Sequence, residues 1–298
     1  MKKEIASRLG PARVPFLTLP PVCVLLGYAT ALRENTLVDL SSLLIALAGA
    51  VFAHISVNSF NEYADFRCDL DSRTKRTPFS GGSGTLQARP QLAPWTLGMA
   101  IGALAMTAAI GLYFAAMRGI GILPIGIAGV AIIVGYCFWG VRNAAFSLIA
   151  PGIGFGPLMV VGTYFVLTGR YSWTAALVSL IPFFLVNNLL LLNQFPDIDA
   201  DRSVGRKNLP IIAGVRASAG VYASFIIITY LVIIAGVIAG MLPLLSLIGI
   251  ATAILSVPSI AGAFRKGDSI PQLIPAMGQN VLINLLTPTL VAVGMIWG

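Results

Sequence analysis

Nine predominantly apolar stretches, near residues 14–32, 41–60, 95–117, 120–139, 146–167, 173–195, 217–239, 242–263 and 275–297, take up most of this 298-residue chain. Each has roughly the length that a helix rising 1.5 Å per residue needs to cross a bilayer core about 30 Å thick. Hydrocarbon offers backbone amides no partner, so only helices and closed barrels cross it, and these runs are continuous rather than alternating. The fold class is therefore all-α: a polytopic membrane protein of about nine transmembrane helices. Composition agrees. Hydrophobic residues make up 57% of the chain and charged residues 10%, against about 25% charged in soluble domains. Breakers separate the runs at Arg118-Gly119, Gly240-Met241 and Gly267-Asp268.

The net charge of +8 would suit nucleic acid, but the basic residues lie in the connections between apolar runs. There they orient helices. With the N-terminus inside, 16 Lys and Arg fall on the inner side and 3 on the outer. The N-terminus and both long polar connections, about 61–94 and 196–216, are therefore expected in the cytoplasm, and no nucleic-acid partner is expected. The start, MKKEIASRLGPARVPF, has basic residues ahead of an apolar run, as a secretory leader does. No small-residue cleavage site follows, so the run reads as the first helix of the mature chain. Cys23, Cys68 and Cys137 form no CxxC pair and read as structural. His54, the one histidine, lies inside an apolar run, which argues against a histidine-based metal site. The whole chain, 1–298, reads as one transmembrane domain of a multi-pass cell-membrane protein, with the lipid bilayer as its solvent.

Seven of the eleven acidic residues fall in two short stretches, Glu62, Asp65, Asp69 and Asp71 in one and Asp197, Asp199 and Asp201 in the other. Asn61, Asp65 and Asp69 are spaced i, i+4, i+8, and Asn193, Asp197 and Asp201 repeat that spacing 132 residues later. On a helix each triplet would share one face, drifting about 40° per step. Stacked carboxylates beside hydrocarbon repel one another and need a compensating cation. Hard oxygen donors at this density suit Mg2+ better than zinc or copper. Asp65, Asp69, Asp197 and Asp201 are thus the candidate metal ligands and catalytic residues. Arg73, Lys75 and Arg76 follow the first triplet, and Arg202, Arg206 and Lys207 follow the second. Acids and bases together fit a metal-chelated diphosphate, in which the acids hold the cation while cation and bases hold phosphate oxygens.

These residues resemble the motifs of the UbiA superfamily of intramembrane aromatic prenyltransferases. Its first motif, NDxxDxxxD, is matched by Asn61-Glu62-Tyr63-Ala64-Asp65-Phe66-Arg67-Cys68-Asp69, with Glu62 in place of the usual Asp. Its second, DxxxD followed by Gly and a basic residue, is matched by Asp197 to Asp201 and Gly205-Arg206-Lys207. Within the superfamily, the stretches RTPFSGGSGTL, FGPLMVVGTY and NQFPDIDADRSVGRKNLP resemble the branch that prenylates 1,4-dihydroxy-2-naphthoate in menaquinone synthesis. Hydroxybenzoate enzymes usually carry a Tyr-Pro-x-x-Lys-like stretch where this chain has Tyr136-Cys137-Phe138-Trp139-Gly140-Val141-Arg142.

The resemblance implies a helical bundle around one central cavity and Mg2+-dependent transfer of a polyprenyl group from an allylic diphosphate to an aromatic acceptor. The acceptor it favours is 1,4-dihydroxy-2-naphthoate, with 4-hydroxybenzoate as the alternative. Asn61, Asn193, Arg73, Lys75, Arg76, Arg206 and Lys207 would bind substrate around the metal site. Tyr136 and Tyr164 are candidates to face the cation-like allylic fragment, since ring faces attract cations. Arg142, the single basic residue of its connection, is a candidate partner for the acceptor's carboxylate, and Arg13 is either a second one or a topogenic charge. Gly81-Gly82-Ser83-Gly84 lacks the Lys-Ser/Thr of a P-loop and reads as a flexible lid. Two other classes compete. A CDP-alcohol phosphotransferase would need a DGxxAR motif, which does not occur. An ion-coupled transporter would bind near the bilayer midplane, whereas these triplets fall at helix ends.

Overall fold

The computed structural model describes residues 2–34, 36–70, 72–266 and 269–298. Asp71 and the Gly267-Asp268 breaker lie outside the described residues. Among the described residues there is no strand, and nine helices are long and apolar enough to cross a membrane. They are α1 (Val14–Arg33), α2 (Leu40–Arg67), α3 (Pro90–Arg118), α4 (Ile120–Phe138), α5 (Ala144–Thr168), α6 (Trp173–Asn193), α7 (Leu209–Ile238), α8 (Leu244–Arg265) and α9 (Ile270–Trp297).

Side-chain caps open several spans. Asp39 accepts from the Ser42 amide at 2.9 Å ahead of α2, Asn143 from Phe146 at 3.0 Å ahead of α5, and Asn208 from Ile211 at 3.2 Å ahead of α7. Each satisfies an amide that the helix cannot satisfy itself. In α5, Pro151 and Pro157 remove ladder bonds, and the turns of Gly154–Val161 widen to π geometry. Small residues then let α5 approach α6 closely. A Cβ at Gly152 would meet the Phe183 carbonyl at 2.2 Å, and the Gly152 amide donates to Asn187 Oδ1 at 2.6 Å.

The interior is built on α1, α6 and α9, the most enclosed spans, while α3 and α4 turn most of their surface outward. That outward surface is apolar: Leu112, Ile127, Ile238 and Ile254 are exposed, an arrangement stable only against hydrocarbon. Trp95 and Trp139 are exposed at one end of the bundle, and Trp173 and Trp297 at the other, as membrane interfaces favour. The chain is a multi-pass membrane protein.

Beyond shifts of up to seven residues at other helix ends, two features differ from the sequence reading. α7 starts at Leu209 rather than near 217, with a break at Gly214, whose φ is 83°; the second polar connection is correspondingly shorter. The acidic triplets also do not lie on continuous helices. α2 ends at Arg67, and Asp69 takes φ 56° while the Leu70 amide bonds back to the Asp65 carbonyl at 3.0 Å. Asp is among the few residues that tolerate this left-handed region. After α6, Pro196 cannot continue the helix, and Asp197 instead heads a separate short helix, Ile198–Ser203.

Candidate active site

Both polar connections leave the same end of the bundle, and the last turns of α2 and α6 bring Asn61, Asp65 and Asn193 together with Asp197 and Asp201 around a pocket of about 100 Å3. Its organiser is Arg206. One guanidinium nitrogen contacts Asp201 Oδ1 at 3.1 Å and another contacts Asp65 Oδ1, so a single cation joins the two acidic clusters. Asn208 donates to Asp201 Oδ2 at 2.7 Å. Its sequence signal was available, because Asn before Leu209-Pro210 is a helix-cap pattern, but a role in the site could not be read from it.

Burial governs the electrostatics. It pushes the Asp197 carboxyl up to about 7, with the neighbouring Asp201 adding to it and Arg206 opposing. Asp201 is pushed up to about 6 by burial, held back by Arg206. Arg206 is itself desolvated, yet Asp65 and Asp201 keep its charge more firmly bound than an ordinary guanidinium's. Two oxygens on the pocket wall, Asp197 Oδ1 and Asn193 Oδ1, are buried and unpaired. Buried acceptors without donors are costly, and a hard cation is what would satisfy both. Among the described residues no three His, Cys, Asp or Glu side chains converge into a finished cage. That suits Mg2+, which commonly uses one or two carboxylates together with substrate phosphates.

The pocket continues into an apolar cavity of about 260 Å3 between α2, α3, α4 and α5. Asn61, Tyr136 and Leu190 line both, so Tyr136 stands at the junction of polar and apolar chambers. Along α2 the cavity runs from Asn61 to Ala46, about 22 Å at 1.5 Å per residue.

Several sequence candidates lie elsewhere. The Asp69 side chain is 68% exposed and pairs with Arg73 at 3.7 Å, away from the pocket wall. Arg73 also donates to Ser203 Oγ at 3.3 Å, tying the two connections together. Lys75, Lys207 and Arg142 are exposed and do not line the pocket. Arg142 ends a tight turn whose Val141 carbonyl accepts from the Lys207 amide at 3.0 Å, and its side chain points outward. Tyr164 belongs to the opposite end of the bundle, where its hydroxyl bonds Glu34 within a cluster with Arg170 and Ser172.

Glu62 has a role that sequence reasoning missed. Fully buried, it accepts from Arg13 Nε and Nη2 at 3.3 and 3.2 Å and from the Ser83 amide at 3.0 Å. The Ser83 hydroxyl donates to it as well. The Gly81–Gly84 segment is thus strapped down, with Gly81 and Gly82 on the pocket wall. It covers the pocket as a lid would, but it is anchored.

Comparison with known proteins agrees with this geometry. The chain is 29% identical over 289 residues to a 1,4-dihydroxy-2-naphthoate octaprenyltransferase of Bacillus subtilis (strain 168), covering 94% of this chain and 89% of that protein. It is 27% identical over 262 residues to one of Mycobacterium tuberculosis (strain H37Rv), covering 86% and 85%. The fold is also that of a UbiA homolog from Archaeoglobus fulgidus solved with DMAPP and Mg2+, with a TM-score of 0.63 and 16% identity over 96% of this chain and 99% of that one. A profile of the UbiA prenyltransferase family matches residues 20–271, spanning both acidic clusters, and the chain belongs to that family.

Proposed function

We propose that this prenyltransferase moves a polyprenyl group from its allylic diphosphate to 1,4-dihydroxy-2-naphthoate, a step of menaquinone synthesis, at the junction marked by Tyr136. The observation that carries the reading is a carboxylate pocket with an arginine bridge opening directly into a long apolar cavity. A polyprenyl diphosphate has the same two parts in the same order. The acceptor is favoured by the names of the two bacterial relatives.

The diphosphate lies in the polar pocket and the tail in the apolar cavity, which leaves the allylic carbon beside Asn61, Tyr136 and Leu190. Mg2+ would be held through Asp197 and Asn193, with Asp65 and Asp201 on the same wall, and it supplies charge neutralisation of the leaving diphosphate. Arg206 keeps the carboxylates in position and adds a fixed positive charge where phosphate charge grows. The carbon–oxygen bond of the allylic diphosphate breaks, pyrophosphate leaves with both electrons, and a ring carbon of the acceptor bonds to the allylic carbon. That ring carbon then restores the aromatic ring by losing its proton to the departing pyrophosphate or, where it bears the carboxylate, by losing carbon dioxide. The Tyr136 ring faces the electron-poor allyl group, and the strapped Gly81–Gly84 segment keeps water out. The end bearing the site faces the cytoplasm, as the charge asymmetry of the connections implies.

The test is incubation of the purified protein with labelled geranylgeranyl diphosphate, Mg2+ and either 1,4-dihydroxy-2-naphthoate or 4-hydroxybenzoate. A labelled lipid product is expected with the naphthoate and Mg2+ together. Product with hydroxybenzoate alone sinks the acceptor assignment, and no pyrophosphate release with any aromatic acceptor sinks the reaction.

A further inference from the structure

A second cavity at the same end, about 480 Å3, has no part in the donor site. Its walls are the segment leading into α1, with Arg13, Pro15 and Phe16, and the first polar connection, with Arg76, Pro78 and Phe79. Arg13, Phe79, Ser80 and Gly82 also line the carboxylate pocket, so the two chambers adjoin across one thin wall.

The chambers differ in chemistry. The carboxylate pocket carries three aspartates, whereas the second cavity is lined by two arginines and no acid. A chamber without carboxylates has no ligand set for a chelated cation and favours an anion that arrives without one. Arg13 is paired with Glu62 at 3.2 Å, so its charge is balanced locally. Arg76 is different. It donates to the carbonyl oxygens of Gly82 and Ser83, which orient the guanidinium without cancelling its charge. Among the described residues no carboxylate pairs with it. The chain makes room for this placement: Gly84 has φ 71°, and a Cβ there would come within 2.0 Å of Arg76 Nη1. Phe16, Phe79 and the two prolines supply flat apolar walls, and a planar fork of donors matches a carboxylate.

We propose that this cavity is the acceptor subsite, in which Arg76 holds the carboxylate of an aromatic acid and Phe16 and Phe79 flank its ring. The inference rests on the prenyl-transfer reading above and names the residues that select its second substrate. The acid enters beside the strapped glycine segment, and its ring must pass the shared wall of Phe79, Ser80 and Gly82 to reach the allylic carbon beside Tyr136. Arg142 has no part in it.

The experiment measures binding of 1-hydroxy-2-naphthoate and of its carboxamide to the full chain in detergent, by fluorescence and without donor. Arg76 is exposed, so the wild type is expected to prefer the acid by roughly 3- to 5-fold, the upper range for an exposed ion pair. Arg76→Gln should remove that preference and Arg76→Lys should restore part of it. Phe16→Ala should weaken acid and amide alike while leaving the prenyl donor's KM unchanged. Retention of the wild-type preference in Arg76→Gln, or unchanged affinities in Phe16→Ala, overturns the assignment. Because Arg76 also supports the glycine segment, donor KM is measured in both variants. An equal rise in donor and acceptor KM in both would make the cavity a support for the donor site and likewise overturn it. A wild type that binds the probe with the expected selectivity yet prenylates no aromatic acid sinks the reaction reading and leaves the binding site standing. A wild type that prenylates the naphthoate without acid selectivity sinks the subsite alone.

Discussion

Replacing Arg206 by alanine removes the cation that pairs with an aspartate of each acidic cluster. The side chains of Arg206, Asp65 and Asp201 are 18%, 11% and 4% exposed, so the variant leaves two carboxylates desolvated without a partner. Truncating one side of such a buried pair costs about 3–5 kcal/mol. Protonation limits the loss. Burial pushes Asp201 up to about 6, above the ordinary carboxylate range, even with the guanidinium beside it. A carboxyl whose folded value is raised loses stability as pH climbs from the unfolded to the folded value and loses no more above it. Without Arg206 the folded value rises further, so the penalty relative to wild type keeps growing above pH 6. A loss near 3 kcal/mol is expected at pH 6 and nearer 5 at pH 8.5, or roughly 2–4 °C of melting temperature per kcal/mol. Detergent-solubilised protein followed by thermal unfolding at both pH values reads this directly, and transferase activity should fall by about 100-fold or more. Melting within about 2 °C of wild type at both pH values, or an equal loss at the two, would refute the bridge.

Asp197 titrates at about 7, so below that pH a proton competes with the cation; the apparent Mg2+ affinity should fall about tenfold per unit below pH 7 and level off above. Asp197→Asn should flatten that profile, and a wild-type profile flat from pH 5.5 to 8 would count against Asp197 as a ligand. Native Cys68 is exposed at the loop end while Cys23 and Cys137 are buried; an impermeant maleimide should label it only after lysis, and labelling of intact cells would invert the proposed topology. Burial raises the Cys68 thiol's pKa, so labelling belongs at pH 8 or above. Gly126 lines the apolar cavity and a Cβ there meets nothing within 4 Å; Gly126→Leu should therefore fold normally and raise KM more for longer prenyl donors, whereas an unchanged chain-length profile would move the tail elsewhere. Glu62→Asp shortens the strap by one methylene, and tryptic cleavage after Arg76 should speed up about tenfold, the factor for losing roughly one net hydrogen bond; an unchanged rate would show the segment is held by other contacts.

The spans were legible because hydrocarbon imposes one demand on every backbone group, and runs of Leu, Ile, Val and Ala satisfy it visibly. The start of α7 was not, because the chain from Leu209 to Ile238 is helical on both sides of Gly214, and a glycine reads equally as an end or a kink. Spacing pointed to Asp65, Asp197 and Asp201, which line one pocket, although only Asp197 to Asp201 and Asn61 to Asp65 are true single turns. Asp69 and Arg142 lie off the pocket wall for a shared reason: proximity along the chain sets which end of a span a residue occupies, whereas the turn after the span sets which way it points. Tyr164 failed on depth, since its pair with Glu34 spans 130 residues. The Glu62 strap was invisible because it joins residues 13, 62 and 83, and no local pattern relates them.

The charge distribution at the site also constrains the order in which its parts assemble. With Arg13 balanced by Glu62, the donor pocket sets Asp65, Asp197 and Asp201 against the single guanidinium of Arg206. Full ionisation leaves an excess of two negative charges in a desolvated space. The fold relieves that excess in the only way open to it without a cation, by raising Asp197 to about 7 and Asp201 to about 6. A bare diphosphate would add like charge and be repelled. A diphosphate already chelated to a divalent cation would bring the missing charge with it, would be held by Asp197 and Asn193, and would displace the proton from Asp197. The neighbouring cavity has the opposite balance, since Arg76 is a net positive charge there. In the proposed acceptor subsite an aromatic acid would therefore be attracted to the chamber that the chelated diphosphate would not fill, and neither substrate would compete for the other's place. On that proposal, two adjoining chambers of opposite sign would sort two anions by whether each one carries a metal.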